Sequence, residues 1–94
     1  MKTNPLVKKI VSLAGEKKAE DLVTLNVSKI TSLSDYFIIC SAKNSIQVKA
    51  IADNIKDNLK EKPWRTEGYE NANWIIIDYV DIVVHIFFEE TRHY

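Results

Sequence analysis

Two segments of the sequence place apolar residues at intervals of three and four, and each predicts an amphipathic helix. The first runs from Leu6 to about Lys18, and its last turn is weakened by Gly15. Asn4 and Pro5 precede it as a start signal, because an Asn side chain caps free backbone N–H groups and Pro is tolerated at the first helical position.

The second predicted helix, Ser45–Leu59, has the clearer pattern. Its apolar side holds Val48, Ile51, Ala52, Ile55 and Leu59. Its opposite side is mainly lysine and aspartate, as in a helix with one face against a core. Asn44 and Gln47 resemble a capping box at its start, and Pro63 stops it.

Five shorter apolar runs predict β-strands. They are Leu22–Val27, Asp35–Ser41, Trp64–Glu67, Trp74–Asp78 and Asp81–Phe88. The second run does not alternate with polar residues, so its middle is expected to be covered on both faces as a central strand. The third follows a proline, which favours an edge position. The order of elements indicates an α/β protein, built as an α+β sandwich with a mixed sheet of about five strands flanked by helices.

Side chains alternate between the faces of a strand, and this divides the last two strands into an apolar and a mixed face. With Tyr79 and Val80 as the loop, the expected pairs are Asp78 with Asp81, Ile76 with Val83, and Trp74 with His85. The apolar face, predicted to be core, holds Ile75, Ile77, Ile82, Val84, Ile86 and Phe88. The mixed face holds Trp74, Ile76, Asp78, Asp81, Val83, His85 and Phe87.

The mixed face is the candidate binding surface. A tryptophan beside carboxylates and a histidine is unusual in a core and typical of a contact surface, where Trp is a frequent hot spot. Two simpler interpretations stay open. Trp74 can be covered by the C-terminal residues, and Asp78 and Asp81 can serve only to cap the turn.

Composition indicates one globular domain, residues 1–94, and the charge distribution points to a protein partner. The 94 residues are 46% hydrophobic with 2 Gly and 2 Pro, which excludes a disordered or low-complexity chain. Cations and anions are equal at 13 each, which argues against direct nucleic-acid recognition. Residues 63–94 carry two arginines and six carboxylates, a net charge of −4, so this part of the chain suits a basic protein.

A cytoplasmic protein with no membrane partner is expected. Cys40 has no second cysteine to pair with, which fits a reducing compartment. No run approaches the roughly 18 apolar residues of a membrane helix, and the first residues lack a secretory or transit pattern.

A catalytic, cofactor or metal site is not expected. A two-metal nucleotidyl-transfer site needs acidic residues on one strand face, whereas Asp78 and Asp81 span a turn and Asp35 lies elsewhere. His85 has no nucleophile spaced to meet it, and Cys40 lies in an apolar run typical of a buried thiol.

Several segments resemble the ribosomal silencing factor family, also called Iojap-like. They are Thr31–Ser41, Gln47–Asp53, Glu67–Gly68, Trp74–Asp78 and Asp81–Phe87, in the family's order and at similar spacing over nearly the whole chain. The resemblance implies a nucleotidyltransferase-like fold without the catalytic residues. It also implies repression of translation in starved or stationary cells, by binding the large ribosomal subunit through its intersubunit-face protein uL14 and blocking subunit joining.

The family's tryptophan and its following carboxylate correspond to Trp74 and Asp78, both on the mixed face. The expected contact residues are Trp74, Ile76, Asp78, Tyr79, Asp81 and His85. The tryptophan is expected to anchor the partner and the isoleucine to extend the apolar contact. The aspartates would complement lysine or arginine, the tyrosine would lie at the rim, and the histidine would be a polar contact.

Two other functions and one variation in the loop stay open. A degenerate nucleotidyltransferase would bind nucleotide or a divalent metal near Asp35, Asp78 and Asp81. A homodimer would bury the mixed face instead.

The family usually has Gly where this chain has Val80, and a β-branched residue disfavours the positive φ of a two-residue primed turn. A longer loop with shifted pairing is therefore the alternative to the pairs given above.

Overall fold

The computed structural model describes residues 4–92, with side chains described for residues 4–90. Its elements are α1 (Pro5–Glu16), β1 (Glu20–Asn26), β2 (Tyr36–Ala42), α2 (Ser45–Asp57), β3 (Arg65–Glu67), β4 (Trp74–Asp78), β5 (Ile82–Phe88) and α3 (Glu89–Arg92). Both predicted helices and all five predicted strands are present, with ends within two residues of those expected. The single turn α3 was not predicted. None of the helices in the described part of the chain has the length and hydropathy to span a bilayer.

The five strands form one mixed sheet in the order β1-β2-β5-β4-β3. β2 and β5 run parallel, and the other neighbouring pairs are antiparallel. This confirms the predicted α+β architecture and places β3 at an edge, as the preceding proline indicated.

Both long helices begin at the predicted caps. The Asn4 side chain accepts a hydrogen bond from the Leu6 N–H at 2.9 Å, and the Asn44 side chain accepts one from the Gln47 N–H at 2.8 Å. The Gln47 side chain reaches back and accepts from the Lys43 N–H at 3.1 Å. These bonds satisfy N–H groups that a helix start otherwise leaves without partners.

The core lies between one face of the sheet and helices α1 and α2. Its fully buried members are Ile10, Ala14, Ile38, Cys40, Ala42, Val48, Ile51, Ala52, Ile55, Ala72, Ile75, Ile77, Ile82, Val84 and Ile86. The predicted apolar face of the last two strands is thus confirmed as core, apart from Phe88, which is only partly buried. The opposite sheet face carries no long helix in the described chain.

Coverage of β2 differs from the prediction on one face. Ile38, Cys40 and Ala42 are fully buried, but Phe37 and Ile39 are only half-buried. The strand is internal, between β1 and β5, yet both long helices pack on the same side of the sheet. The expectation that its middle would be covered on both faces was therefore wrong.

The connection between β4 and β5 is longer than the expected two-residue loop. The observed pairs are Trp74 with Phe87, Ile75 with Ile86, Ile76 with His85, Ile77 with Val84, and Asp78 with Val83. The predicted pairing was wrong by two residues, and Asp81 lies in the loop rather than opposite Asp78. Because a shift of two returns every side chain to the same face, the division into two faces is unaffected.

Val80 occupies the centre of this loop. Its φ is +75°, and the Asp81 N–H donates to the Tyr79 carbonyl at 3.0 Å, which closes a γ-turn around it. The Asp78 side chain accepts from the Val80 N–H at 2.8 Å, and the Ser34 hydroxyl donates to the Val80 carbonyl at 2.9 Å. A β-branched residue in this conformation costs about 1–3 kcal/mol, so such bonds are needed to hold it.

Candidate protein-binding face

On the sheet face away from the long helices, called the outer face below, Val23 and Leu25 of β1 and Arg65 and Glu67 of β3 flank central side chains from β2, β4 and β5. They are Phe37, Ile39, Trp74, Ile76, Asp78, Val83, His85 and Phe87. Each is half-buried or exposed, whereas the residues next to them on β4 and β5 that face the helices are fully buried up to Ile86. Strand alternation therefore produces the mixed face that the sequence predicted.

Trp74 lies on this face in a fixed orientation. Its indole N–H donates to Nδ1 of His85 at 3.1 Å. The indole also stacks on Phe87, with ring centroids 5.1 Å apart and planes 17° apart. Even so, 44% of the residue is exposed. The tryptophan is thus held by its neighbours without being covered by them.

His85 is the neutral partner in this arrangement. Because Nδ1 accepts the indole hydrogen bond, the ring proton belongs on Nε2. Nε2 is buried and has no hydrogen-bond partner among the described residues. Burial lowers the pKa of His85, and the negative charge of Asp78 opposes that shift in part. The geometry and the pKa shift both favour the uncharged imidazole.

Asp78 is engaged within the protein. One carboxylate oxygen accepts from the Val80 N–H, and the other lies 3.5 Å from Nε of Arg65. Only 14% of the Asp78 side chain is exposed. Arg65 also pairs with Glu67, at 2.9 Å. Asp78 therefore caps the turn and fixes the neighbouring edge strand.

A groove crosses the outer face and is called the outer groove below. It encloses about 680 Å³ and is lined by Val27, Ile30, Thr31, Leu33, Ser34, Phe37, Trp64, Arg65, Ile76, Asp78, Val80, Val83 and His85. The half-buried side chains of β2, β4 and β5 form its floor. Its walls come from the β1–β2 loop on one side and from Trp64 on the other.

The match to known proteins covers the whole chain. The profile of the family described as "Ribosomal silencing factor during starvation" matches residues 1–94. The chain belongs to the ribosomal silencing factor family. It is 39% identical to Ribosomal silencing factor RsfS of Halalkalibacterium halodurans and 35% identical to that of Bacillus subtilis, covering all of this chain and 83% and 82% of those proteins. A crystal structure from Chromobacterium violaceum superposes with a TM-score of 0.95 at 29% identity, covering 100% of this chain and 81% of that one.

Two of the expected contact residues of this ribosomal silencing factor lie away from the outer face. Asp81 is exposed in the hairpin loop, where its carbonyl accepts from the N–H groups of Asp35 at 2.8 Å and Tyr36 at 3.1 Å. Tyr79 packs against the core rather than lining the groove. Burial raises the pKa of Tyr79 to about 12, and the charge of Glu61 adds to the shift. The expected rim position of Tyr79 is not observed, because it directly follows Asp78 of the outer face and its side chain therefore points to the helix side.

Sequence reasoning missed the residues that make the face concave. Ile30 and Leu33 are 84% and 81% exposed, and Trp64 is 71% exposed. The available signal was their chemistry, since two aliphatic residues in a polar loop and a Trp directly after Pro63 are unexpected in solvent.

Residues 4–90 contain no group of three or more His, Cys, Asp or Glu side chains placed to hold a metal ion.

Proposed function

We propose that this chain binds the large ribosomal subunit through its outer face and thereby prevents the small subunit from joining. The partner in this proposal is uL14, a basic protein of the intersubunit surface, as the resemblance implies. Silencing then follows from occlusion alone and needs no catalytic group. The observation that supports it most directly is Trp74, fixed by two aromatic neighbours and still 44% exposed.

Trp74 has the properties of a binding anchor. A partner that covers it removes a large aromatic surface from water. Since the indole is already held by His85 and Phe87, binding loses little side-chain entropy. Truncation of an anchor of this kind typically costs about 2 kcal/mol or more, which is roughly 30-fold in affinity.

The charge of this part of the chain suits a cationic partner. Residues 63–94 have a net charge of −4, and Asp35 and Asp81 are both exposed beside each other at the hairpin end of the sheet. Asp78 contributes indirectly, because its carboxylate is already used by Val80 and Arg65. Complementary charge mainly speeds association and selects the partner.

Binding and subunit joining test the proposal together. Purified large subunits are pelleted with the wild type, Trp74→Ala and the control Ile46→Ala, whose side chain is 80% exposed on α2. We expect Trp74→Ala to bind at least about 30-fold more weakly and the control to bind as the wild type does. In gradients of mixed subunits, only Trp74→Ala should lose the block on joining. Full binding by a folded Trp74→Ala protein would contradict the proposal.

A further inference from the structure

We infer that the outer groove is a second contact of this interface and that it receives one large apolar side chain from a cationic protein segment. The inference rests on the proposed function, and it adds a binding determinant separate from the tryptophan. Trp74 does not line the groove, so the two contacts can be removed independently.

The walls of the groove expose large apolar side chains toward a common space. Ile30, Leu33 and Trp64 are each more than two-thirds exposed, and all three line the same groove. Soluble proteins usually scatter such residues singly, and their convergence marks a contact site. A volume of about 680 Å³ is enough for a side chain together with its flanking backbone.

The wall formed by the β1–β2 loop is fixed by its own hydrogen bonds. The Ile30 N–H donates to the Val27 carbonyl at 2.9 Å, and the Leu33 N–H donates to the Thr31 hydroxyl at 3.1 Å. The Ser34 hydroxyl then ties the end of the loop to the β4–β5 hairpin. The two exposed aliphatic groups are therefore carried on a defined backbone.

The opposite wall is fixed through Arg65. The guanidinium lies 5.5 Å from the Trp64 ring centroid and pairs with Asp78 and Glu67. The backbone N–H of Trp64 donates to the Asp78 carbonyl at 2.7 Å. With both walls held apart, an incoming side chain meets a preformed site and loses little affinity to ordering it.

Charge selects a cationic segment as the occupant. The charged residues on the segments that build the groove are Lys29, Asp35, Arg65, Glu67, Asp78 and Asp81, a net charge of −2. A negative rim repels nucleic-acid phosphates and attracts lysine or arginine. Because Arg65 already neutralises Asp78 inside the groove, the apolar side chain enters there and the partner's cations meet the exposed carboxylates outside.

The test removes the exposed wall residues, which contribute little to the core. Ile30→Ser and Leu33→Ser are compared, singly and together, with Ile46→Ser, whose original side chain is equally exposed on α2. In co-sedimentation titrations with purified large subunits, we expect each wall variant to weaken binding about tenfold and the control to bind normally. A folded double variant that binds within about twofold of the wild type would overturn the groove contact, even where Trp74→Ala abolishes binding.

Two other occupants are outcomes of the same experiment. Light scattering over a range of concentrations tests for a second copy of the chain. A wild-type dimer that the double variant converts to monomer, with unchanged subunit binding, would overturn the inference in favour of self-association. A further arm measures binding to ribosomal RNA stripped of protein. If Ile30→Ser weakens this binding as strongly as it weakens binding to intact subunits, the occupant is RNA and the inference of a protein partner is overturned. If the wild type binds intact subunits but not the protein-free RNA, and the double variant loses that binding, the protein partner is supported.

Discussion

The same substitution, Gly to Ala, is expected to change stability in opposite directions at the two glycines of the chain. Gly68 follows β3 with a φ of +79°, and a Cβ there would overlap the Trp74 carbonyl oxygen and lie 3.1 Å from its carbon. Gly15 lies in the last turn of α1, where a Cβ would have nothing within 4 Å. The two sites therefore separate backbone strain from helix propensity.

The magnitudes follow from the local geometry. At Gly68 an alanine costs about 1–2 kcal/mol for the left-handed backbone and about 1–3 kcal/mol for the overlap, less about 0.4–1 kcal/mol gained from a stiffer unfolded chain. The net loss is about 1–5 kcal/mol. At Gly15 the alanine gains about 1 kcal/mol of helix propensity. Since 1 kcal/mol shifts Tm by about 4–8 °C in a domain of this size, Gly68→Ala should melt at least about 4 °C lower and Gly15→Ala about 4–8 °C higher.

Thermal melts followed by circular dichroism measure both variants, and subunit binding gives a second readout. Because the Gly68 backbone abuts Trp74, Gly68→Ala should also displace the anchor and weaken binding, while Gly15→Ala should bind normally. A Gly68→Ala protein as stable as the wild type would refute the left-handed conformation packed against β4. The Gly68 backbone would then not be what positions the start of β4 and the indole of Trp74.

Two further predictions concern titration and a buried hydroxyl. Burial lowers the pKa of His85 in the folded state below the 6.5 of an unperturbed histidine. As the pH falls, the unfolded chain therefore binds a proton on His85 before the folded protein does. The contribution of the neutral His85 to stability is complete above about pH 7 and is lost below about pH 6.5. The wild type should therefore lose more Tm between about pH 7.5 and 5.5 than His85→Asn, whose amide does not titrate, and equal slopes would contradict this. The Tyr79 hydroxyl is buried without a partner among the described residues, so Tyr79→Phe should be neutral or stabilising by up to about 1 kcal/mol in urea melts, with normal subunit binding. A Tyr79→Phe protein destabilised by more than about 1 kcal/mol would mean that the hydroxyl makes a hydrogen bond in the folded protein.

The elements and their buried faces were predictable because local rules determine them. Asn44 caps α2, which starts at the predicted residue and ends at Asp57, six residues before Pro63. The outward position of Trp74 was predictable even with the wrong hairpin register, since alternation has a period of two and the error was two residues. Asp78 was predicted either to cap the turn or to contact a partner. Its carboxylate caps the turn in the structure, and the role in partner contact stays a prediction.

The groove and the path of the hairpin loop were not predictable from local pattern. The loop depends on the Ser34–Val80 hydrogen bond, which joins residues 46 positions apart. Tyr79 was expected at the rim, but it directly follows Asp78, which lies on the outer face, and its side chain packs against the core on the other side. Long-range bonds of this kind leave no periodic signal in the sequence, so the concave shape of the outer face appears only in three dimensions.

The strained loop and the open groove have a common physical basis. Exposed aliphatic walls on a flexible loop would collapse onto the apolar floor, because this buries surface at no cost in contacts. Here the β1–β2 loop is tied to the hairpin by the Ser34–Val80 bond and by two N–H groups donated to the Asp81 carbonyl. The same bonds hold Val80 at positive φ. The strain at Val80 is thus part of the framework that keeps the walls apart, as expected where a protein sacrifices some stability to preform a binding surface.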